Sequence, residues 1–184
     1  MGFHQVPVLG VNLGRLGFLA ALQPEQLEQA LPEIAAGRQR LVEHLMVECT
    51  ATRGGKEIYH SLVLNEAAVL AGPPFTMVDI QLYVDGELVT TYSCDGLIVS
   101  TPVGSTAHCL SAGGPILRND IQALVILPIS PHTLTLRPVV DSADRTIELV
   151  VPEPHEGTSL VVDGRVLTRL EAGDRVRIVR SKAR

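Results

Sequence analysis

Residues 95–115 read DGLIVSTPVGSTAHCLSAGGP. A short hydrophobic stretch, Leu97 to Val99, opens into a run of small and hydroxylated residues, Ser100 to Ala107. Small side chains let a ligand approach the backbone. Hydroxyls and free N–H groups can then bond a polar ligand. Ala107 to Ala112 is predicted to form a helical turn with its N–H groups toward an anion. Gly113-Gly114-Pro115 would stop it. The GxxxxGK[ST] spacing of a P-loop and its lysine are absent. By residue type the run suits a nucleotide or polar-metabolite loop, with a plain structural turn as the alternative.

Three smaller clusters carry polar groups. Asn65-Glu66 closes an apolar run, where an amide and a carboxylate are odd. The pair has the donors and acceptors for a ribose or an adenine edge; otherwise Asn65 caps a turn and Glu66 is solvated. Asp95-Gly96 is a turn dipeptide set just before the small-residue loop. In Ser130-Pro131-His132-Thr133-Leu134, His132 reads as a turn histidine bonding a carbonyl rather than a base. No metal-ligand spacing is present. Cys49, Cys94 and Cys109 form neither a disulfide framework nor a CxxC site, and reduced thiols are expected. With His108 and His132 they make no nucleophile motif.

The elements around these clusters are mostly strands. Val6 to Val11 reads as a buried strand feeding a glycine-rich loop, Gly10 to Gly17. One helix is predicted over Pro24 to Ala36, started by Pro24, favoured by Glu25 and Glu28 and ended at Gly37, with Pro32 as a possible break. From Leu41 the pattern changes to short strands and turns. Leu41–Thr52, Ile58–Leu70, Thr76–Asp85, Leu88–Tyr92, Leu97–Ser100, Ala123–Leu127, Thr146–Val151, Ser159–Val162 and Val176–Val179 read as strands. Turns fall at Gly54-Gly55, Asp85-Gly86, Asp163-Gly164 and Ala172-Gly173-Asp174. The fold class is therefore mainly β, an antiparallel β-sandwich with one or two short helices.

Composition narrows the rest. In 184 residues, 46% are hydrophobic, 19% charged and 3% aromatic, with no Trp. A chain of this length buries roughly 70% of its unfolded surface, so an aliphatic core needs no staples. The net charge is -5 and the pI about 5.6, so neither charge nor stacking platforms suit a nucleic-acid binder. The basic tail, Arg165 to Arg184, reads as a solvated strand face, or alternatively a polyanion contact. No apolar run approaches the ~20 residues of a membrane span. No signal-peptide or myristoylation pattern opens the chain.

The chain resembles the NAD kinases of the bacterial ATP- or polyphosphate-dependent type. Gly10 to Leu19 is similar to that family's GxNxGxLGFL segment and Asn65-Glu66 to its NE/D motif. Asp95 to Pro115 is similar to its DGLxxSTPTGSTAYxLSAGGP signature, and Pro128 to Pro138 to its PxxPHxLxxRP segment. The resemblance implies phosphorylation of the adenosine-ribose 2′-hydroxyl of NAD, giving NADP, with Mg²⁺ or another divalent cation on the donor phosphates. It implies Asn65 and Glu66 at the adenine and ribose end, with Thr106, Ala107, His108 and Ser111 wrapped around them. It places Asp95 at the nicotinamide carboxamide or its ribose, across a subunit interface of a homodimer or homotetramer. Thr76, Ser93, Gly104, Ser105, His132, Asp163 and Arg165 are further candidate contacts.

The sequence contains no GGDG, the family's catalytic motif, whose Asp is the general base. The expectation is a strand and loop over residues 1–20 leading from the α/β domain, then a β-sandwich dinucleotide-binding domain over 21–184. Such a chain would bind NAD or NADP weakly, would not catalyse alone, and would be cytoplasmic, with no nucleic-acid or membrane partner. His108 stands where the family has Tyr, so ring stacking on adenine is weakened or replaced. Arg165 stands where Gln is usual. Two other classes compete: a lipid or diacylglycerol-kinase relative, and a non-catalytic NAD(P)-binding module.

Overall fold

Alternating apolar residues, closed by turns that demand positive φ, fold most of this chain into two antiparallel sheets. The structure, a computed structural model, describes residues 3–13, 22–73, 76–132 and 137–183. It divides into two compact units, Met1–Glu43 and His44–Arg184.

In the first unit the predicted helix forms as α1, Pro24–Ala35, with Pro32 inside it. The Gln23 amide donates to Gln26 Oε1 at 2.8 Å, covering one of the helix-start donors. The strand expected over Val6 to Val11 does not form. Val11 alone bridges to Leu22, and Val6, Val8 and Leu9 are exposed. A lone extended segment has no sheet partner for its backbone groups. The Gly14–Leu19 part of the glycine-rich segment lies outside the described residues, as do Thr133 and Leu134.

The second unit is the β-sandwich that the sequence predicts. Its strands are β1 (Val47–Arg53), β2 (Lys56–Val63), β3 (Glu66–Leu70), β4 (Val78–Val84), β5 (Glu87–Cys94), β6 (Gly96–Ser100), β7 (Ala123–Ile129), β8 (Val139–Ser142), β9 (Ile147–Val150), β10 (Ser159–Val162), β11 (Arg165–Arg169) and β12 (Arg175–Arg180). One sheet has the order β2-β1-β12-β9-β4-β5, the other β11-β10-β3-β6-β7-β8. Hairpin turns sit at Gly54-Gly55, Asp85-Gly86 and Asp163-Gly164, all with positive φ as a two-residue primed turn requires. The apolar stretch Ile58–Leu70 is two strands rather than one, because Leu64-Asn65 turns the chain from the first sheet to the second. β8 and β11, edge strands with mostly exposed or half-buried side chains, have no clean alternation and escaped the sequence reading.

The inner faces meet in an aliphatic core that includes Leu97, Val99, Leu124, Ile126, Ile80, Leu149 and Ile178. Cys49 and Cys94 belong to it, and burial pushes their thiols up to about 12 and about 11. Two β12 arginines are paired: Arg175 with Glu148 of β9, lying also over the Tyr83 ring, and Arg180 with Asp144 in the β8–β9 connection.

The second sheet is buried on both faces at its centre. Ala68, Ile98, Val125 and Leu127 point outward and form a second cluster with Cys109. Their cover is the segment after β6, which contains a single 3₁₀ turn, Gly104–Thr106, and the one-turn helix α2, His108–Ser111. This burial explains the unbroken apolar runs of β3, β6 and β7. If the cover stays down, Ile98→Ala costs as much as an inner-face truncation, about 2–5 kcal/mol in denaturant unfolding. A loss within about 0.5 kcal/mol of zero, the range of surface substitutions, would mean that the outer face is open to water.

Candidate functional site

The backbone around Asn65 is held from three sides. The Asp163-Gly164 turn joins β10 to β11, with φ of 46° and 75° at the two residues. Its first residue turns its carboxylate back toward β3. Asp163 accepts hydrogen bonds from the amides of Leu64 (3.0 Å), Asn65 (2.7 Å) and Glu66 (3.2 Å). Its own amide donates to the Glu66 carbonyl at 3.0 Å. On the opposite side, the Thr101 amide donates to the Asn65 carbonyl at 2.9 Å. Thr101 Oγ1 donates to the Leu64 carbonyl at 2.5 Å and accepts from the Gly104 amide at 3.1 Å. Gly104 completes the clamp, because a Cβ there would overlap the Asn65 carbonyl and Cα.

The small residues of the loop therefore serve folding as much as access. Gly104 makes room for the Asn65 peptide. Ser105 is fully buried, donates to the Pro102 carbonyl at 2.6 Å and accepts from the Leu117 amide at 2.9 Å. Thr106 Oγ1 donates to the Val103 carbonyl at 3.0 Å. The helical turn expected over Ala107 to Ala112 forms as α2. It sends Cys109 into the outer cluster and leaves His108 and Ser111 exposed, with Ala107 half-buried. The Cys109 thiol is held up by burial, as suits a packed thiol rather than a nucleophile.

Glu66 is the chemically unusual member. It shares the outer face of β3 with Ala68, yet only 4% of it is exposed. Its Oε2 has no hydrogen-bond partner among the described residues. Burial pushes its carboxyl up to about 7, and the Asp163 charge adds to that. A carboxyl of this kind, half protonated near neutrality, can donate to or accept from a ligand hydroxyl.

A second group of candidates lies at the other end of the same strands. In register, Glu66 faces Ser100, while Leu70 faces Gly96 and Gly96 faces Ile129. Asp95 is the corner where the chain leaves β5 of the first sheet for β6 of the second. Its amide donates to the Ile129 carbonyl at 3.0 Å, and its carbonyl accepts from Ala71 at 2.8 Å. The His132 amide donates to the Ser93 carbonyl at 3.0 Å. Thr76, exposed, precedes β4, whose Val78 faces Cys94. Thr76, Ser93, Asp95 and His132 thus gather at one end. Asn65, Glu66, Gly104, Ser105, Thr106, Asp163 and the exposed Arg165 gather at the other. The length of β6 separates them by about 14 Å at the usual strand rise. The α2 cover lies over the face between.

The sequence reading missed Thr101 as an anchor and treated Asp163 as a candidate contact. A signal did exist. An Asp opening a primed turn can reach a neighbouring segment, and Asp85 does so too, accepting from the Thr146 amide and Arg145. Among the described residues no three His, Cys, Asp or Glu side chains converge as a metal site.

The class is an antiparallel β-sandwich with buried hydroxyls, an interlocked glycine and an unpaired carboxyl gathered at one sheet end. Known proteins make that class specific. Residues 64–184 match the ATP-NAD kinase C-terminal domain and residues 2–39 the ATP-NAD kinase N-terminal domain. The chain belongs to the NAD kinase family. It is 62% identical over 181 residues to an NAD kinase of Rhodopirellula baltica, covering 98% of this chain and 58% of that protein. An NAD kinase of Geobacter metallireducens is 41% identical, covering 100% and 65%. The chain thus spans about three fifths of the curated relatives it matches. A yeast NADH kinase solved with NADH superposes with a TM-score of 0.91 at 28% identity, over 98% of this chain and 53% of that one. An Archaeoglobus fulgidus NAD kinase solved with ATP gives 0.81 at 32% identity, over 96% and 66%. The match of residues 2–39 shows that the N-terminal family region is represented here as well as the sandwich.

Two outcomes follow. Gly104→Ala forces the Asn65 peptide aside and lowers unfolding stability by about 1–3 kcal/mol, with the amide resonances of residues 64–66 displaced. Unmoved resonances would contradict the interlock. Secondly, Glu66 has an ordinary value of 4.5 and a folded value of about 7. The folded chain therefore binds more protons in that interval, and stability falls as pH rises through it. Urea midpoints at about pH 5 and about pH 8 should show this fall, and Glu66→Gln should flatten it. A decline just as steep in the variant would place its origin elsewhere.

Proposed function

We propose that this chain carries the dinucleotide-binding part of an NAD kinase, an enzyme that phosphorylates the adenosine-ribose 2′-hydroxyl of NAD with ATP or polyphosphate as donor. The observation that carries the reading is the pair of polar groups at the two ends of β3 and β6, joined by the α2 cover. A dinucleotide is an extended ligand with two ribose ends, and it suits such a divided site. Asn65 and Glu66 bind the adenosine end, beside Thr106, Ala107 and His108. Asp95, with Ser93, Thr76 and His132, receives the nicotinamide end. The resemblance to the NAD kinases also implies a homo-oligomer in which the Asp95 end of one copy borders the site of the next.

The sequence has no GGDG, the motif whose Asp is the family's general base. The chain's own groups bind and orient the dinucleotide, and the phosphoryl-transfer machinery belongs to the part of the relatives that this chain does not span. The described residues do not by themselves fit a divalent cation. Such an ion would arrive with the donor phosphates, whose charge it neutralises. No helix among the described residues is long and apolar enough to cross a membrane. A cytoplasmic location is the setting that fits three buried free thiols.

Calorimetric titration of this chain with NADP and, separately, with ATP tests the reading. NADP binding without ATP binding is expected, together with no NADP formation from NAD, ATP and Mg²⁺. A chain that binds ATP but not NADP would overturn it.

A further inference from the structure

We propose that Asp163 is a positioning residue for the Asn65–Glu66 pair: its carboxylate fixes the backbone from which both side chains project and does not itself touch the dinucleotide. The inference rests on the dinucleotide-binding reading for its consequence in solution, but its geometry stands alone.

Three consecutive amides, Leu64, Asn65 and Glu66, converge on this one carboxylate. They fall where the chain passes from β2 to β3. There ladder bonding is interrupted, and these amides would otherwise need water or a ligand. Both carboxylate oxygens are engaged, Oδ1 by Asn65 and Glu66 and Oδ2 by Leu64. The return bond from the Asp163 amide to the Glu66 carbonyl closes a ring around the Glu66 peptide. A carboxylate satisfied in this way is poorly placed to serve as a ligand contact. Its substitution by a shorter or uncharged side chain releases the peptide rather than a ligand bond.

A second consequence is electrostatic. Asp163 keeps a negative charge beside the Glu66 carboxyl, whose Oε2 is buried without a partner. The other titratable group facing Glu66 is Cys109 from α2, whose thiol burial keeps protonated. β6 offers only the neutral Ser100 opposite Glu66, while β10 ends at Val162 opposite Ala67 and meets Glu66 through Asp163 itself. Arg165, two residues beyond Asp163, is exposed. Asp163 is therefore the one anionic neighbour among these groups, and it biases Glu66 toward its protonated, donor-competent form.

The test uses the whole chain, free and with NADP, as wild type, Asp163→Ala, Asp163→Asn and Asp85→Ala. The last removes the analogous clamp at the β4–β5 turn and reports what loss of a clamp does to stability alone. In the ligand-free chain, Asp163→Ala should speed amide hydrogen exchange at Leu64, Asn65 and Glu66 by about tenfold or more, while amides of β12 keep their protection. Asp163→Asn keeps an acceptor oxygen without the charge. It should restore part of that protection and lower the Glu66 titration midpoint, seen by carboxyl-carbon NMR, without returning it to the ordinary carboxylate value. The NADP Kd should rise about tenfold in Asp163→Ala, recover partly in Asp163→Asn, and stay at the wild-type value in Asp85→Ala. Unchanged exchange at residues 64–66 in Asp163→Ala, or equal loss of NADP affinity in Asp85→Ala, overturns the assignment. Were wild type to bind no NADP, the dinucleotide reading would fail by itself, and the exchange and titration data would still decide whether Asp163 positions the pair.

Discussion

The peptide of Asn65 is the point on which the candidate site depends. Its amide is held by Asp163, its carbonyl by Thr101, and its Cα leaves no room for a side chain at Gly104. These three contacts come from segments far apart in the chain: the β10–β11 turn, the end of β6 and the loop that follows it. Each is individually modest, since a net hydrogen bond contributes about 1 kcal/mol. Together they fix a stretch of backbone that no sheet ladder holds. The order of the Asn65–Glu66 pair is therefore a property of the tertiary fold and not of the local sequence.

The same loop that supplies Thr101 and Gly104 also covers the outer face of the second sheet. Ile98, Val125 and Leu127 would face water without it, and Cys109 and Leu117 complete the apolar cluster. Site geometry and core stability are thus coupled. Moving the loop to admit a ligand would expose aliphatic surface at about 25 cal/mol per Å². This favours a preformed site with small adjustments over one that opens widely. It also explains why the loop is rich in serine and threonine whose hydroxyls point inward. Ser105 and Thr106 tie the loop to itself and so replace backbone bonds that a strand or a long helix would have provided.

Glu66 runs against this pattern of satisfaction. A buried carboxyl with an unbonded oxygen costs free energy unless it is protonated or given a partner. Among the described residues His44 Nδ1 and Thr158 Oγ1 are also buried without a partner, but Glu66 carries the one such carboxyl. Its neighbours differ: Asp163 already accepts from three amides, and burial keeps the nearby Cys109 thiol protonated.

Much of this was legible in the sequence. Primed turns at Gly54-Gly55, Asp85-Gly86 and Asp163-Gly164, with alternation from Val78 to Val84, sufficed for an antiparallel sandwich, because turn chemistry and period-two burial are local. The helix at Pro24 and the turn at His108 were local as well. The 95–115 signature and Asn65-Glu66 named the family through residue types alone. The sequence did not show that Val6 to Val11 lacks a partner strand, that β8 and β11 exist as edges, or that Ile58 to Leu70 bends at Leu64. Each depends on which strand lies alongside. Nor could it show that Gly104 and Ser105 face protein, that Asp163 clasps three amides, or that Asp95 and Asn65 occupy opposite ends of β6. Residue type determines what bonds a group can make, but only the packing of distant segments decides which bonds are already taken.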